Sequence, residues 1–236
     1  MGRKLYKKEK FDNFKDWHAS RGIGGSSASA LFNENKYQTK LDIYCAMTAK
    51  PNERVETAED LEGDDNSATI RGKKLEPIIR ELIKTRLGKK FRIQTPNGFT
   101  MYRRKDKPYM TATLDGILID KKTGERWVLE IKTHSDLGHE DMANWDKQLP
   151  QNYFIQVAHY LAVLNDFVGV YVVADILHDD FDTEMPRTAE SGCGDEIRYY
   201  KQTREKMLKD IELVEEVETE FIEHNVAKRI PPNFSF

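Results

Sequence analysis

Cysteine is nearly absent: the 236 residues hold two, Cys45 and Cys193, far apart and without CxxC spacing. That leaves no basis for a disulfide framework or for a cysteine-ligated zinc or iron–sulfur centre. Long apolar runs are absent too. The longest, such as Val168 to Ala174, are strand-sized, far short of the roughly 20 residues that a membrane span requires. The basic start Met1-Gly2-Arg3-Lys4-Leu5-Tyr6-Lys7-Lys8 lacks the apolar stretch of a secretory signal, so a cytoplasmic protein without membrane association is expected. Nor is there a surplus of positive charge: Lys and Arg number 37 against 40 Asp and Glu, a net charge of -3. The chain as a whole therefore carries no electrostatic footprint for nucleic acid, and charge has to be read locally.

Locally, acidic residues bunch between Asn52 and Asp65 and again between Glu205 and Glu223, and the basic run Arg71, Lys73, Lys74 follows the first bunch. The length suits one domain over residues 1–236. Phe11, Phe14 and Trp17 predict a short amphipathic helix at the start, to about Ala19. Arg21-Gly22-Ile23-Gly24-Gly25-Ser26-Ser27 reads as a glycine-rich turn feeding a helix capped by Ser26 or Ser27. A solvated acidic loop at about 52–67 precedes a firm amphipathic helix, Ala68 to Leu87, with Leu75, Ile78, Ile79, Leu82 and Ile83 on one face and Gly88 at its end. An antiparallel meander is then expected from runs at Phe91–Thr95, Gly98–Tyr102, Met110–Ile119 and Trp127–Thr133, the last two joined by a turn at Lys121-Lys122-Thr123-Gly124. Phe154 to Leu164 returns to helical spacing, Gly169 to Leu177 suits a buried strand, and a helix is predicted over about 195–227.

The chemistry gathers on the last two strands of the meander, in Thr113-Leu114-Asp115-Gly116 and Val128-Leu129-Glu130-Ile131-Lys132-Thr133. A hairpin puts Asp115 beside Glu130. The strand period of two sends Glu130 and Lys132 to one face and Leu129 and Ile131 to the other. Charges set so close to apolar neighbours are costly unless paired or bound to a metal. Two carboxylates make a hard oxygen site that suits Mg²⁺, with Mn²⁺ as a substitute, and Lys132 is placed to orient a water activated there. A salt-bridged surface ladder is the competing explanation of Asp…ExK taken alone.

Further residues set this pattern in context. Gly22-Ile23-Gly24-Gly25-Ser26 after Trp17, Gly72-Lys73-Lys74-Leu75-Glu76-Pro77, the Asp115/Glu130 strand pair, and Leu149-Pro150 followed by Gln156-Val157-Ala158-His159-Tyr160 together resemble the lambda-exonuclease (YqaJ) phage recombinase family. That resemblance spans about Phe11 to Leu177. It implies an α/β (α+β) fold with a restriction-endonuclease-like PD-(D/E)XK core, a mixed central sheet flanked by helices. It also implies a Mg²⁺-dependent exonuclease that digests double-stranded DNA from its ends, usually 5′→3′, beside a single-strand annealing protein, as a homo-oligomer that closes into a ring of three subunits.

By the same resemblance Asp115, Glu130 and Lys132 are catalytic. Asp115, Glu130, the Ile131 carbonyl and Glu76 are metal ligands, and Gln156 and Tyr160 face the site from one helix. Arg21, Ser26, Ser27, Lys73 and Thr113 contact DNA phosphates, although the family's arginine commonly lies slightly earlier, where this chain has Ala19 and Ser20. Plainer roles compete at several positions: Glu76 as a solvated helix residue paired with Lys73 or Arg80, Tyr160 as core filler with Gln156 on the surface, and the serines as an ordinary helix start. His134 and Trp145 receive no role. The competing functions are a RecB-like endonuclease or CRISPR-associated nuclease and, from another class, a non-catalytic DNA-binding subunit with a nuclease fold.

Overall fold

The computed structural model describes residues 3–49, 67–96, 99–135, 145, 148–177 and 196–233, with the backbone alone for 67–74, 134, 135 and 177. The expected acidic loop falls almost wholly outside them, and so do the side chains of Lys73 and Lys74.

The elements run β1 (Tyr6–Phe11), α1 (Phe14–Ala19), α2 (Gly25–Ala28), a 3-10 turn (Ser29–Phe32), α3 (Lys40–Thr48), α4 (Ser67–Leu87), β2 (Phe91–Gln94), β3 (Phe99–Arg104), β4 (Thr111–Ala112), β5 (Gly116–Asp120) and β6 (Arg126–Ser135). They continue with α5 (Gln151–Val163), β7 (Gly169–Leu177), β8 (Glu196–Thr203), α6 (Leu208–Phe221) and a π-helical turn (Ile222–Val226). A five-stranded sheet has the order β2-β5-β6-β7-β8, and a three-stranded sheet the order β1-β3-β4. Among the described strands β6 and β7 pair in parallel and the other pairs are antiparallel. The parallel pair requires a crossover, which α5 supplies.

The mixed sheet flanked by helices agrees with the sequence reading, and so do α4, α5, β7 and the β5–β6 hairpin. The simple meander does not hold. Met110–Ile119 is not one strand: it breaks at Thr113-Leu114-Asp115, because β4 pairs with β3 in the small sheet whereas β5 pairs with β2 and β6 in the large one. The opening segment forms a strand before its helix, because Tyr6 to Phe11 completes the edge beside β3. The long C-terminal helix over 195–227 is also corrected. Its first part is β8, paired along β7. Ile197 and Tyr199 lie against one core cluster and Tyr200 against the other, a period of two that a few apolar residues at helical spacing had masked.

Both faces of the large sheet are covered, so its central strands carry apolar residues on each side. On one face Leu75, Ile79 and Ile83 of α4 meet Leu118, Leu129, Tyr171 and Val173. On the other, Val157, Ala158 and Leu161 of α5 meet Val128, Val170, Val172 and Ala174. A fully buried side chain such as Leu129 or Val172 contributes about 1.5–3 kcal/mol relative to exposure. α6 closes the outer side of α5 through Ile211, Val214 and Phe221.

Candidate active site

Strand β6 carries the site because its alternate residues face opposite ways. Leu129 enters the α4 core, while Glu130 turns toward α5 and is 3% exposed. Asp115 comes from the β4–β5 connection. The hairpin register pairs Gly116 with Leu129, so one step back Asp115 stands level with Glu130. Its Oδ2 accepts a 2.7 Å hydrogen bond from the Ile131 backbone N–H.

Glu130 is the hub. Its Oε1 accepts from Gln156 Nε2 at 2.6 Å and lies 2.8 Å from Lys132 Nζ. Its Oε2 is buried and has no hydrogen-bond partner. Gln156 Nε2 also donates to Tyr160 Oη at 2.8 Å. Gln156 is thus not a surface residue: it and Tyr160 are each 5% exposed and one helical turn apart, Gln156 bonding the carboxylate directly and Tyr160 reaching it through Gln156. Lys132 Nζ sits 4.7 Å above the ring centre of Tyr153, a cation–π contact that fixes the ammonium at the mouth of the site.

The electrostatics follow from two acids held together, Glu130 buried and Asp115 half-buried. Burial, then the charge of Glu130, raises the Asp115 carboxyl to about 7, against the opposing pull of Lys132 and the Ile131 N–H; Glu76 adds a further push upward. For Lys132 burial favours the neutral amine, but Glu130 and Asp115 outweigh it and raise its pKa, so it stays an ammonium. Tyr160 is held well above the ordinary phenol range by burial and by the same two carboxylates.

A divalent cation fits these residues. The partnerless Glu130 Oε2 lacks a donor or a cation, and an acid pair at this spacing repels itself without one. The donors are hard oxygens, the set that Mg²⁺ prefers. Among the described residues no three His, Cys, Asp or Glu side chains cluster tightly enough to hold an ion by themselves. The cation that matches is one that completes its shell with waters and substrate phosphate.

Other residues singled out in the sequence lie around this centre. Glu76 is paired with Arg80 one turn along α4, through Nε at 3.0 Å and through Nη2, while its charge still acts on Asp115. The helix after the glycine-rich turn starts at Gly25 with Gly24 as its cap, so neither Ser26 nor Ser27 is the N-cap; both fall in its single turn, Ser26 exposed and Ser27 half-buried. Gly25 must be glycine: a Cβ there would come within 2.4 Å of Tyr160 Cε1 and 2.9 Å of Gln156 Cγ. The glycine-rich turn and the Gln156/Tyr160 helix are therefore one structure. Arg21 lies over Trp17, 5.0 Å from the ring centre, and its charge acts on Tyr160. Thr113 is exposed in the β4–β5 connection. Trp145 is core: it is 2% exposed beside Tyr153 and Tyr200.

A family model described as the YqaJ-like viral recombinase domain matches residues 13–167. The chain belongs to this family. The YqaJ-like span includes every site residue named above, from Arg21 to Tyr160, and ends before β7. The chain is 30% identical over 145 residues to the uncharacterized protein YqaJ of Bacillus subtilis (strain 168), a match over 61% of this chain but only 40% of that protein. Its fold is that of LHK-Exo, whose structure in complex with dAMP superposes with a TM-score of 0.55 at 16% identity, over 92% of this chain and 100% of that one. A structure of the same alkaline exonuclease, from Laribacter hongkongensis, gives a TM-score of 0.49 at 16% identity.

Sequence reasoning missed a buried pair beside the site. His159 Nδ1 lies 2.6 Å from Glu218 Oε1 and Nε2 lies 2.8 Å from the Thr111 carbonyl, with both side chains fully buried. A histidine on an otherwise apolar helix face was the available signal. Its partner, 59 residues away on an acidic helix, could not be picked out from many equivalent glutamates.

Proposed function

We propose that the chain is a metal-dependent exonuclease that digests double-stranded DNA from its ends, 5′→3′, leaving single-stranded tails for phage-type recombination with an annealing protein. One observation carries this reading: Glu130 has a buried carboxylate oxygen without a partner, level with Asp115 and two residues from Lys132. A partnerless oxygen is not by itself distinctive, since Glu218 Oε2 has no partner either; the second acid and the ammonium beside Glu130 are what a surface ladder would not bury together and a phosphodiesterase needs.

Asp115, Glu130 and the Ile131 carbonyl would hold Mg²⁺ or Mn²⁺, with Glu76 as a further ligand once it leaves Arg80. When bound, the cation lowers the pKa of a coordinated water and offsets charge on the phosphoryl oxygens. Lys132 has three ammonium donors, of which Glu130 takes one. The others can orient the attacking water and stabilise its deprotonated form. Gln156 holds the Glu130 carboxylate through Oε1, which leaves Oε2 for the cation. Arg21, Ser26 and Ser27 would receive the 5′-terminal phosphate next to Tyr160, and Lys73 and Thr113 would contact the backbone near the scissile bond. Such phosphate contacts position DNA without reading its sequence. A homo-oligomeric ring, of three subunits, would keep the enzyme on a substrate whose attraction is largely electrostatic and salt-sensitive.

End-labelled linear duplex and covalently closed circular duplex, each with Mg²⁺ and with EDTA, test the reading. Loss of the linear substrate alone, in Mg²⁺ alone, is expected. Efficient cutting of closed circles would move the chain to the RecB-like endonucleases. Binding of duplex without cleavage in Mg²⁺ would make it a non-catalytic subunit. A monomer by light scattering at working concentration would remove the ring.

A further inference from the structure

Helix α6 lies outside the span that matches the family model, yet it reaches the floor of the site. Its residues Glu215, Glu218 and Thr219 share one face. Glu215 accepts from Arg104 Nη1 at 2.7 Å and Lys107 Nζ at 3.1 Å, and Thr219 Oγ1 meets Lys107 Nζ at 3.1 Å and Tyr109 Oη at 2.8 Å. Arg104 Nη1 also donates to the Ala162 carbonyl near the end of α5. The deepest contact of the row is Glu218 with His159.

Hydrogen-bond logic fixes what this pair holds. The Thr111 carbonyl only accepts, so His159 Nε2 carries a proton. Nδ1 faces a carboxylate oxygen at 2.6 Å, so a second proton lies between ring and carboxylate. Burial alone would favour the neutral ring, but Glu218 raises the His159 pKa, with the Thr111 carbonyl acting in the same direction and Arg104 opposing.

Thr111 in turn is the joint between the two halves of the site. Its N–H and Oγ1 donate to the Ile23 carbonyl at 2.9 and 3.2 Å, and its Oγ1 accepts from the Gly22 N–H at 3.3 Å. From Ile23 the chain runs to Gly25 against Tyr160, and from Thr111 it runs to Asp115.

We infer that His159 and Glu218 are positioning residues of the active site: by gripping the Thr111 carbonyl they set both Asp115 and the Gly22–Gly25 turn. An apolar pair of similar volume would serve packing as well or better, since a buried ion pair is weak support for stability. What an apolar pair lacks is the donor to Thr111. The inference rests on the nuclease reading, so its test carries a readout that does not need cleavage.

The variants are Glu218→Gln and the apolar double variant His159→Phe with Glu218→Met. In Glu218→Gln, kcat on linear duplex should fall by about 10-fold or more while KM for duplex ends stays within about 2-fold. Mn²⁺ binding to the DNA-free protein, followed by electron paramagnetic resonance, should weaken by roughly 3-fold to 10-fold. The double variant should regain the wild-type melting temperature to within a few degrees but not the lost kcat or Mn²⁺ affinity. Recovery of both together with the melting temperature would overturn the inference and leave the pair as core filler, as would wild-type kcat and Mn²⁺ affinity in Glu218→Gln. Absence of cleavage by the wild type would instead overturn the nuclease reading, and the Mn²⁺ measurement would still decide the role of the pair.

Discussion

The two faces of the central sheet are built from the same strands and are used in opposite ways. Toward α4, β6 presents Trp127, Leu129 and Ile131 to an apolar layer that includes Ile79, Ile83 and Val173. Toward α5, the same strand presents Val128 and then Glu130, which meets Gln156 and Lys132, with Lys132 lying over the Tyr153 ring. The first face gains free energy by excluding water from hydrocarbon. The second gives some of that up, holding two acids close enough to repel and one carboxylate oxygen without a partner. A face can be this demanding because an undisturbed core lies one residue away along the strand.

Substitutions that address one face at a time put this division to the test. The largest effect is expected from Lys132→Ala, which should lower kcat by about 1,000-fold or more, in line with removal of a group that acts on the reacting water. Duplex-end binding by the folded protein should change little. Near wild-type turnover in Mg²⁺ would show that the site is misplaced. Next comes Leu129→Ala, on the other face, which should cost about 2–5 kcal/mol of stability from lost burial and a cavity. Chemical denaturation measures it, and the surviving folded fraction should cleave at close to the normal rate per molecule. A selective loss of kcat with stability intact would erase the distinction between the faces.

The smallest expected effect is a pH dependence behind the catalytic face. His159 has its pKa raised in the folded protein, so the stability it contributes is fully present below the ordinary histidine pKa of about 6.5. It is lost as pH rises through the raised folded value, because the unfolded chain releases that proton first. The groups facing the ring are Glu218 from α6, the Thr111 carbonyl from β4 and Arg104 from β3. Stability measured by denaturation as pH rises above about 6.5 should therefore decline less steeply for the His159→Phe, Glu218→Met double variant than for the wild type. Identical slopes would mean that the pair holds no extra proton.

Much of this arrangement was legible in the sequence, for reasons that differ by residue. Glu130, Lys132 and Leu129 could be sorted between faces because strand periodicity is strict, and Asp115 could be set against Glu130 because Lys121 to Gly124 marks a turn. α4 and β7 were readable from apolar pattern alone. Gln156 and Tyr160 came through the resemblance, not through periodicity, since a buried Gln on an apolar helix looks like an error until its carboxylate partner is known. The break at Thr113–Asp115 was hidden because an apolar run does not say which sheet each half joins. β8 was mistaken for helix because Ile197 and Tyr200 satisfy a three-residue spacing as well as an alternation. The N-cap was misplaced because two serines follow Gly24 and either resembles a cap. His159 and Glu218 meet only through tertiary packing.

The parallel pairing of β6 with β7 also sets an order of assembly. Asp115 and the Ile131 N–H that holds it are 16 residues apart and close through a local hairpin. Gln156 stands 26 residues from Glu130 and can reach it only when the crossover helix docks. Glu218 is 59 residues from His159 and arrives with the last helix described. Each doubling of loop length adds only about 0.6 kcal/mol of closure entropy, so distance is a small thermodynamic burden, but non-local contacts slow folding. During synthesis, which runs from the N-terminus, the acid pair can form while α6 is still unmade. A chain that has its acid pair but not yet α6 lacks the His159–Glu218 contact, so the site is assembled before its last support arrives with the segment translated last of the three.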